Sequence, residues 1–141
     1  MVDRKLQGKC AEYYVAYLLL KLGYPTNLVN QNGFDIITLI NNQLIKVEVK
    51  SSTRPITNRN GYKFSTKQGK KGTLRKLSKN CDSDIVAFLM FCRDNPRVYF
   101  KPTKTITGIS HQIYSIHLSD KNLEKRTLND ALSKLGGNKI F

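Results

Sequence analysis

The chain has 141 residues and 16.1 kDa, enough for one domain with a sizeable core, and its 24 Lys+Arg against 10 Asp+Glu leave a net charge of +14. A 40% hydrophobic fraction argues against a disordered basic tail, no apolar run approaches the roughly 18 residues of a membrane span, and Cys10, Cys81 and Cys92 lack paired metal-ligand spacing. Met1 leads through charged Asp3, Arg4 and Lys5 with no signal-peptide core, so the expectation is a cytoplasmic domain with no membrane contact and a polyanionic partner, nucleic acid above all.

Residues 4–22 fit a helix, with Ala11, Tyr14, Val15, Leu18, Leu19 and Leu22 on one face. Gly23 supplies a stop and Pro25 forbids continuation. Phe34 to Ile40 is apolar and β-rich, Asn41-Asn42 is a turn pair, and Gln43 to Lys50 alternates, which together predict a hairpin. Tyr62 to Thr66 fits a further strand, while Leu74 to Lys79 fits a short helix or a loop. The unbroken apolar run Ile85 to Phe91 has the pattern of a strand buried on both faces. Asp94-Asn95-Pro96 is a turn, Arg97 to Lys101 is a strand closed by Pro102, and Ile113 to Leu118 alternates like an edge strand. Leu123 to Leu135 carries Leu128, Ala131, Leu132 and Leu135 at helical spacing before Gly136-Gly137. With no repeat and no linker, the expectation is a single domain over 1–141 of the α/β (α+β) class, one mixed sheet with helices packed on it.

The positive charge is concentrated. Between Lys46 and Lys79 stand Lys46, Lys50, Arg54, Arg59, Lys63, Lys67, Lys70, Lys71, Arg75, Lys76 and Lys79, with Glu48 the only acid. Like charges repel, and phosphate is the natural counter-charge; the plainer alternative is a basic surface kept for solubility. If Z of these cations meet phosphates, affinity should fall with salt at a log–log slope of roughly −0.9Z.

Two acids stand in unexpected places. Asp35 opens an apolar strand, and Glu48 sits within Val47-Glu48-Val49. If the turn centres on Asn41-Asn42, residues whose numbers sum to 83 face one another, and Asp35 faces Glu48. Two carboxylates so placed, about 4.5–5.5 Å apart at Cβ, destabilise the pair unless a cation compensates. Mg²⁺ suits such a pair, since it takes one or two carboxylates, several waters and a substrate phosphate. Lys50 follows two residues later on the same face. The alternative is a solvated face on which Lys46, Glu48 and Lys50 only meet water, and a one-residue slip in register would favour it. Glu12, the only acid of the first helix, borders its apolar stripe among Gly8, Ala11 and Ala16.

These residues resemble the PD-(D/E)XK nuclease superfamily. Phe34-Asp35 stands at the Pro-Asp position, and Glu48-Val49-Lys50 matches (D/E)-x-K thirteen residues after Asp35. The helix segment Lys5 to Glu12 is similar to that of archaeal Holliday-junction resolvases and of group I intron-encoded homing endonucleases. The downstream order favours the second: an aromatic strand (Tyr62 to Phe64), a basic loop (Lys67 to Lys79), an Asp-led apolar strand (Asp84 to Phe91), and an aromatic strand closing in proline (Val98 to Pro102). The resemblance covers residues 5–102 and implies a restriction-endonuclease-like core, with a catalytic hairpin flanked by helices. Residues 103–141 then complete that core or form an oligomer interface. It further implies that Asp35, Glu48 and the Val49 carbonyl hold Mg²⁺ (Mn²⁺ substituting), and that Glu12 holds a second ion or orients water. Lys50 then positions the attacking water. DNA, duplex or branched, would lie along Lys9 and the basic stretch, cut by a homodimer or homotetramer. Gln68 and Ser51 are weaker site candidates, and His111 and His117 are structural or DNA-contacting. A Holliday-junction resolvase and a non-catalytic nucleic-acid-binding module are the alternatives.

Overall fold

A computed structural model describes residues 3–31, 33–53, 61–65, 83–92, 95–106, 108 and 110–135. Helix α1 (Arg4–Lys21) starts where the Asp3 carboxylate accepts the Lys5 N–H at 2.8 Å. It ends at Gly23, whose φ of +97° lets the Gly23 and Tyr24 N–H groups turn back to the Leu20 and Leu19 carbonyls. The chain then forms β1 (Thr26–Gln31), β2 (Phe34–Ile40), β3 (Gln43–Ser52), β4 (Gly61–Ser65), β5 (Ile85–Met90), β6 (Arg97–Pro102), β7 (Ser110–Tyr114) and α2 (Leu123–Ser133). Asn41 and Asn42 both take positive φ, 51° and 62°, the turn geometry that suits the twist of a two-residue hairpin.

Five strands form one sheet in the order β1-β2-β3-β5-β6, with β3 and β5 parallel and the other pairs antiparallel. Strand β5 is buried at all six positions, because each of its faces has a cover. Ile85, Ala87 and Leu89 pack with Val15 and Leu19 of α1 and Leu128 and Leu132 of α2. Val86, Phe88 and Met90 pack with Tyr62, Phe64 and Ile113 of a separate ribbon, β4 paired with β7.

The outer edge of β6 is closed by side chains. Glu124 Oε2 accepts the Val98 N–H at 3.0 Å, and Thr127 Oγ1 accepts the Phe100 N–H at 3.1 Å. Arg97 holds the start of α2 against that edge through Glu124 and the carbonyls of Leu118 and Asp120.

Three expectations are corrected. Strand β1 has no counterpart in the sequence pattern: Asn27 and Asn30 are poor strand formers, and pairing with β2 overrides that preference. The late strand lies at Ser110–Tyr114 and is followed by a 3₁₀ turn over Ser115–Ser119. Its described partner residues on β4 run from Ser65, opposite Ser110, to Gly61, opposite Tyr114. Among the described residues there are also two sheets in place of one, because β3 pairs directly with β5 and leaves β4 no place between them. The segment Leu74 to Lys79 lies outside the described residues.

Replacing Glu124 with Ala strips Arg97 and the Val98 N–H of a shared acceptor. That variant is expected to lose about 2–3 kcal/mol of stability in chemical denaturation. Lys134→Ala, which breaks an exposed pair with Asp130, is expected to change stability by less than about 0.5 kcal/mol. Equal losses would mean that α2 does not seal the β6 edge.

Candidate active site

Strands β2 and β3 keep one register outward from the turn. Ile40 stands opposite Gln43, and Ile36 opposite Val47. Continuing that register by one step sets Asp35 opposite Glu48, but the backbone ladder stops at Ile36. Asp35 Oδ2 instead accepts the N–H of Val49 at 2.8 Å, supplying the acceptor that a longer ladder would have given. Backbone groups of alternate residues along a strand turn to opposite neighbours. The Phe91 N–H meets Ser52 O on the β5 side, so Val49 turns both its N–H and its carbonyl towards Asp35. Among the described residues the other oxygen of Asp35 has no hydrogen-bond partner.

Glu48 and Lys50 project from the same side of β3, with Lys50 Nζ 3.6 Å from Glu48 Oε1 and both side chains largely covered. Glu12 comes from α1, where Lys9, one turn earlier, reaches it at 3.4 Å. The three acids sit within one another's electrostatic reach. Burial and then the Asp35 charge push the Glu48 carboxyl up to about 7, and Lys50 only partly offsets them. Burial also raises Asp35, against the pull of the Val49 N–H, Lys50 and Lys9. Glu12 is raised by burial and by Asp35, against Lys9. Two lysines therefore leave the acids under-compensated.

That deficit suits a hard divalent cation. Asp35, Glu48 and the Val49 carbonyl are all oxygen donors, the kind Mg²⁺ takes alongside water. Among the described residues no three His, Cys, Asp or Glu side chains converge as a ready-made site for one ion, so the three acids meet through their charges.

The other candidates scatter. Lys46 lays its ammonium 5.2 Å from the centre of the Phe34 ring, and Lys63 is exposed on β4. Ser51 follows Lys50 on β3, level with Leu89. Arg54, Arg59, Lys67, Gln68, Lys70, Lys71, Arg75, Lys76, Lys79 and Cys81 lie outside the described residues. Cys10 is exposed and Cys92 half-buried, both as free thiols. His111 stacks on Phe88 at 5.0 Å, and burial with the charge of Lys101 pushes its pKa down to about 4. His117 meets Tyr99 edge-on and is shifted down as well, first by burial. Both rings are packing groups at neutral pH. Sequence reasoning missed Asp84, which ties β5 to the hairpin: its Oδ2 accepts the Lys46 N–H at 2.9 Å and its N–H meets Lys46 O at 2.8 Å. An acid opening an apolar strand was the available signal, as at Asp35.

A family model for PD-(D/E)XK endonucleases matches residues 2–133. No curated protein matches the chain. Among solved structures, the fold is similar to that of a bacterial homing endonuclease, I-Ssp6803I, with a TM-score of 0.60 and 19% identity over 81% of this chain and 77% of that one. At that identity the likeness concerns the fold, which is restriction-endonuclease-like.

The raised Glu48 pKa has a consequence for stability without metal. Folded Glu48 binds its proton more tightly than the unfolded group, about 7 against 4.5. Below the lower value both states are protonated and nothing is lost; as pH rises through the upper value stability falls, and above it the full penalty stands. In chelator at about pH 8, Glu48→Gln is expected to raise stability by on the order of 2 kcal/mol, with no gain at about pH 4.5. Thermal melts of the two proteins across pH test this, and a Gln variant no more stable at the higher pH refutes the mutual repulsion.

Proposed function

Since the chain belongs to the PD-(D/E)XK endonuclease family, we propose that it is a divalent-metal-dependent endonuclease of DNA, using Mg²⁺ or in its place Mn²⁺, and that it cuts specific duplex sequences as a homing endonuclease. The observation that carries the site assignment is the largely buried Glu48, held near neutral pKa between Asp35, Glu12 and Lys50. Strongly shifted pKa values with a specific charged neighbour cluster at functional sites, where acids are matched to their chemistry.

Asp35 and Glu48 would hold such an ion, with the Val49 carbonyl, turned towards Asp35, as the third protein donor. A divalent ion bound there supplies positive charge to the phosphodiester and makes water a better nucleophile at neutral pH. The Val49 N–H fixes the Asp35 carboxylate in one orientation, so no rearrangement is needed when substrate arrives. Lys50 gives up part of its interaction with Glu48 to the scissile phosphate, where its ammonium stabilises the charge that builds on the non-bridging oxygens. Glu12 accepts a hydrogen bond from the attacking water and orients it. The new bond joins the water oxygen to phosphorus, and the 3′-oxygen leaves, giving 5′-phosphate and 3′-hydroxyl ends. DNA is steered to the site by Lys9, Lys46, Lys63 and the basic stretch that includes Arg54, Arg59, Lys67, Lys70, Lys71, Arg75, Lys76 and Lys79. One site cuts one strand, so cutting a duplex calls for two copies.

Asp35→Asn and Glu48→Ala are each expected to slow cleavage by at least about 100-fold in Mg²⁺ while leaving DNA affinity within a few fold. The assay uses randomised duplexes and a four-way junction in parallel. Cleavage at a defined duplex sequence supports the homing assignment; symmetric nicking of the junction alone overturns it in favour of a resolvase. Unchanged cutting by both variants refutes the site. A wild-type protein that binds DNA yet never cuts it with Mg²⁺ or Mn²⁺ is a binding module.

A further inference from the structure

Helix α1 has two apolar faces. One is core, with Ala11, Val15 and Leu19 fully buried. The other is open: Leu6, Tyr13, Tyr17 and Leu20 are 64%, 63%, 56% and 53% exposed, and the exposed Cys10 fills the step between the first two. These five positions advance by four, three, four and three residues, the a/d spacing of a coiled-coil seam. At 3.6 residues per turn they form a stripe about 80° wide on the side away from the core, roughly 21 Å long. Glu12 and Lys9 lie on its flank, so the proposed chemistry does not use it.

We propose that this stripe is a twofold interface, where α1 packs antiparallel against α1 of a second copy with Tyr13 at the axis. The inference deepens the two-copy requirement of the endonuclease assignment by naming the surface.

Three observations select a second copy as the occupant. A seam of this spacing is complementary to another helix with the same seam. Among the described helices only α1 has one, since α2 turns Lys125, Arg126 and Asp130 outward. The stripe is also nearly symmetric about Tyr13, because Leu6 and Leu20 each stand seven residues from it. A twofold axis there sets Leu6 against Leu20 of the partner subunit, as an isologous contact requires. Finally, the area is that of a weak, reversible contact. Taking roughly 200 Å² for a fully exposed large side chain, the four exposed residues offer about 450 Å² per copy, or about 900 Å² over the pair. Lysine stems at the margin add to this, and a total near the roughly 1,000 Å² threshold of a specific interface fits copies that associate reversibly.

Charge selects the antiparallel arrangement. Arg4, Lys5 and Lys9 crowd the N-terminal half of α1, and Lys21 stands alone at the other end. A parallel pair would bring both N-terminal clusters together, along with both positive helix ends. The antiparallel pair separates them and sets opposite ends of the helix dipoles side by side. Some repulsion between these highly basic copies persists, so the dimer is weak at low ionic strength and tightens as salt screens it. DNA binding moves the other way with salt.

Sedimentation equilibrium without DNA or metal tests this. The full-length protein is expected to dimerise reversibly, more tightly at about 0.5 M salt than at about 0.05 M. A Leu6→Glu, Tyr13→Glu double variant, both residues being exposed, is expected to dimerise at least about 10-fold more weakly, and to melt like wild type at concentrations where both are monomeric. In a Cys10→Ser background, Tyr13→Cys is expected to cross-link to itself under mild oxidation, while Leu44→Cys at the exposed hairpin tip is not. A protein that stays monomeric, a double variant that dimerises like wild type, or cross-linking through native Cys10 in place of position 13 would each overturn the proposal. None of these readouts is cleavage, so they leave the endonuclease assignment to its own test.

Discussion

Bringing Glu12, Asp35 and Glu48 together works against folding, because each carboxylate loses water and each repels the others. The rest of the structure has to tolerate that arrangement. It does so first through the hydrogen bond from the Val49 N–H to Asp35. This bond takes an acid that would otherwise repel Glu48 freely and ties it to the backbone of the strand that bears Glu48. The hairpin thus gives up one rung of its ladder and gains a fixed carboxylate. Lys9 and Lys50 approach from opposite elements and offset part of the remaining charge.

The frame around the site is correspondingly rigid. Strand β5 runs beside β3, with Val86 level with Glu48 and Phe88 level with Lys50. Because both faces of β5 are packed, the strand cannot shift without opening two cores at once. Asp84 locks the start of β5 to the Lys46 backbone, and the aromatic group of Phe64, Phe88 and His111 closes the far face. A site whose acids repel one another keeps its geometry because its scaffold has no easy way to relax.

Much of this was legible in the residues. The Asn41-Asn42 turn and the alternation of Gln43 to Lys50 set the hairpin register from Ile40–Gln43 to Ile36–Val47, and Asp35, one step beyond that ladder, meets β3 through the Val49 N–H. The apolar run at Ile85 announced a strand covered on both sides. What stayed hidden depends on contacts between distant segments. Strand β1 forms because β2 offers it partners, against the preferences of its own asparagines. The placement of β7 depends on β4, whose Gly61 pairs with Tyr114 from 53 residues earlier in the chain. Sealing of the β6 edge by Glu124 and Thr127 has no local signature, since a helix Glu and Thr look like ordinary surface residues until the strand is beside them. For Glu12, helical periodicity showed only that it borders the buried face, and its neighbours came from the tertiary fold.

The parallel pairing of β3 with β5 also bears on the order in which the molecule assembles. The hairpin closes across two residues, whereas Val47 and Ile85 meet from positions 38 apart. Closing the longer loop costs more chain entropy and is slower, so contacts of the first kind form before the second. Asp35 and Glu48 therefore face each other early, in a hairpin still open to water, where their repulsion is mild. Their desolvation waits until β5 docks with its two apolar faces and the hydrophobic gain arrives in the same step. The burial of these repelling carboxylates thus coincides with the docking of β5, the step that also buries its two apolar faces.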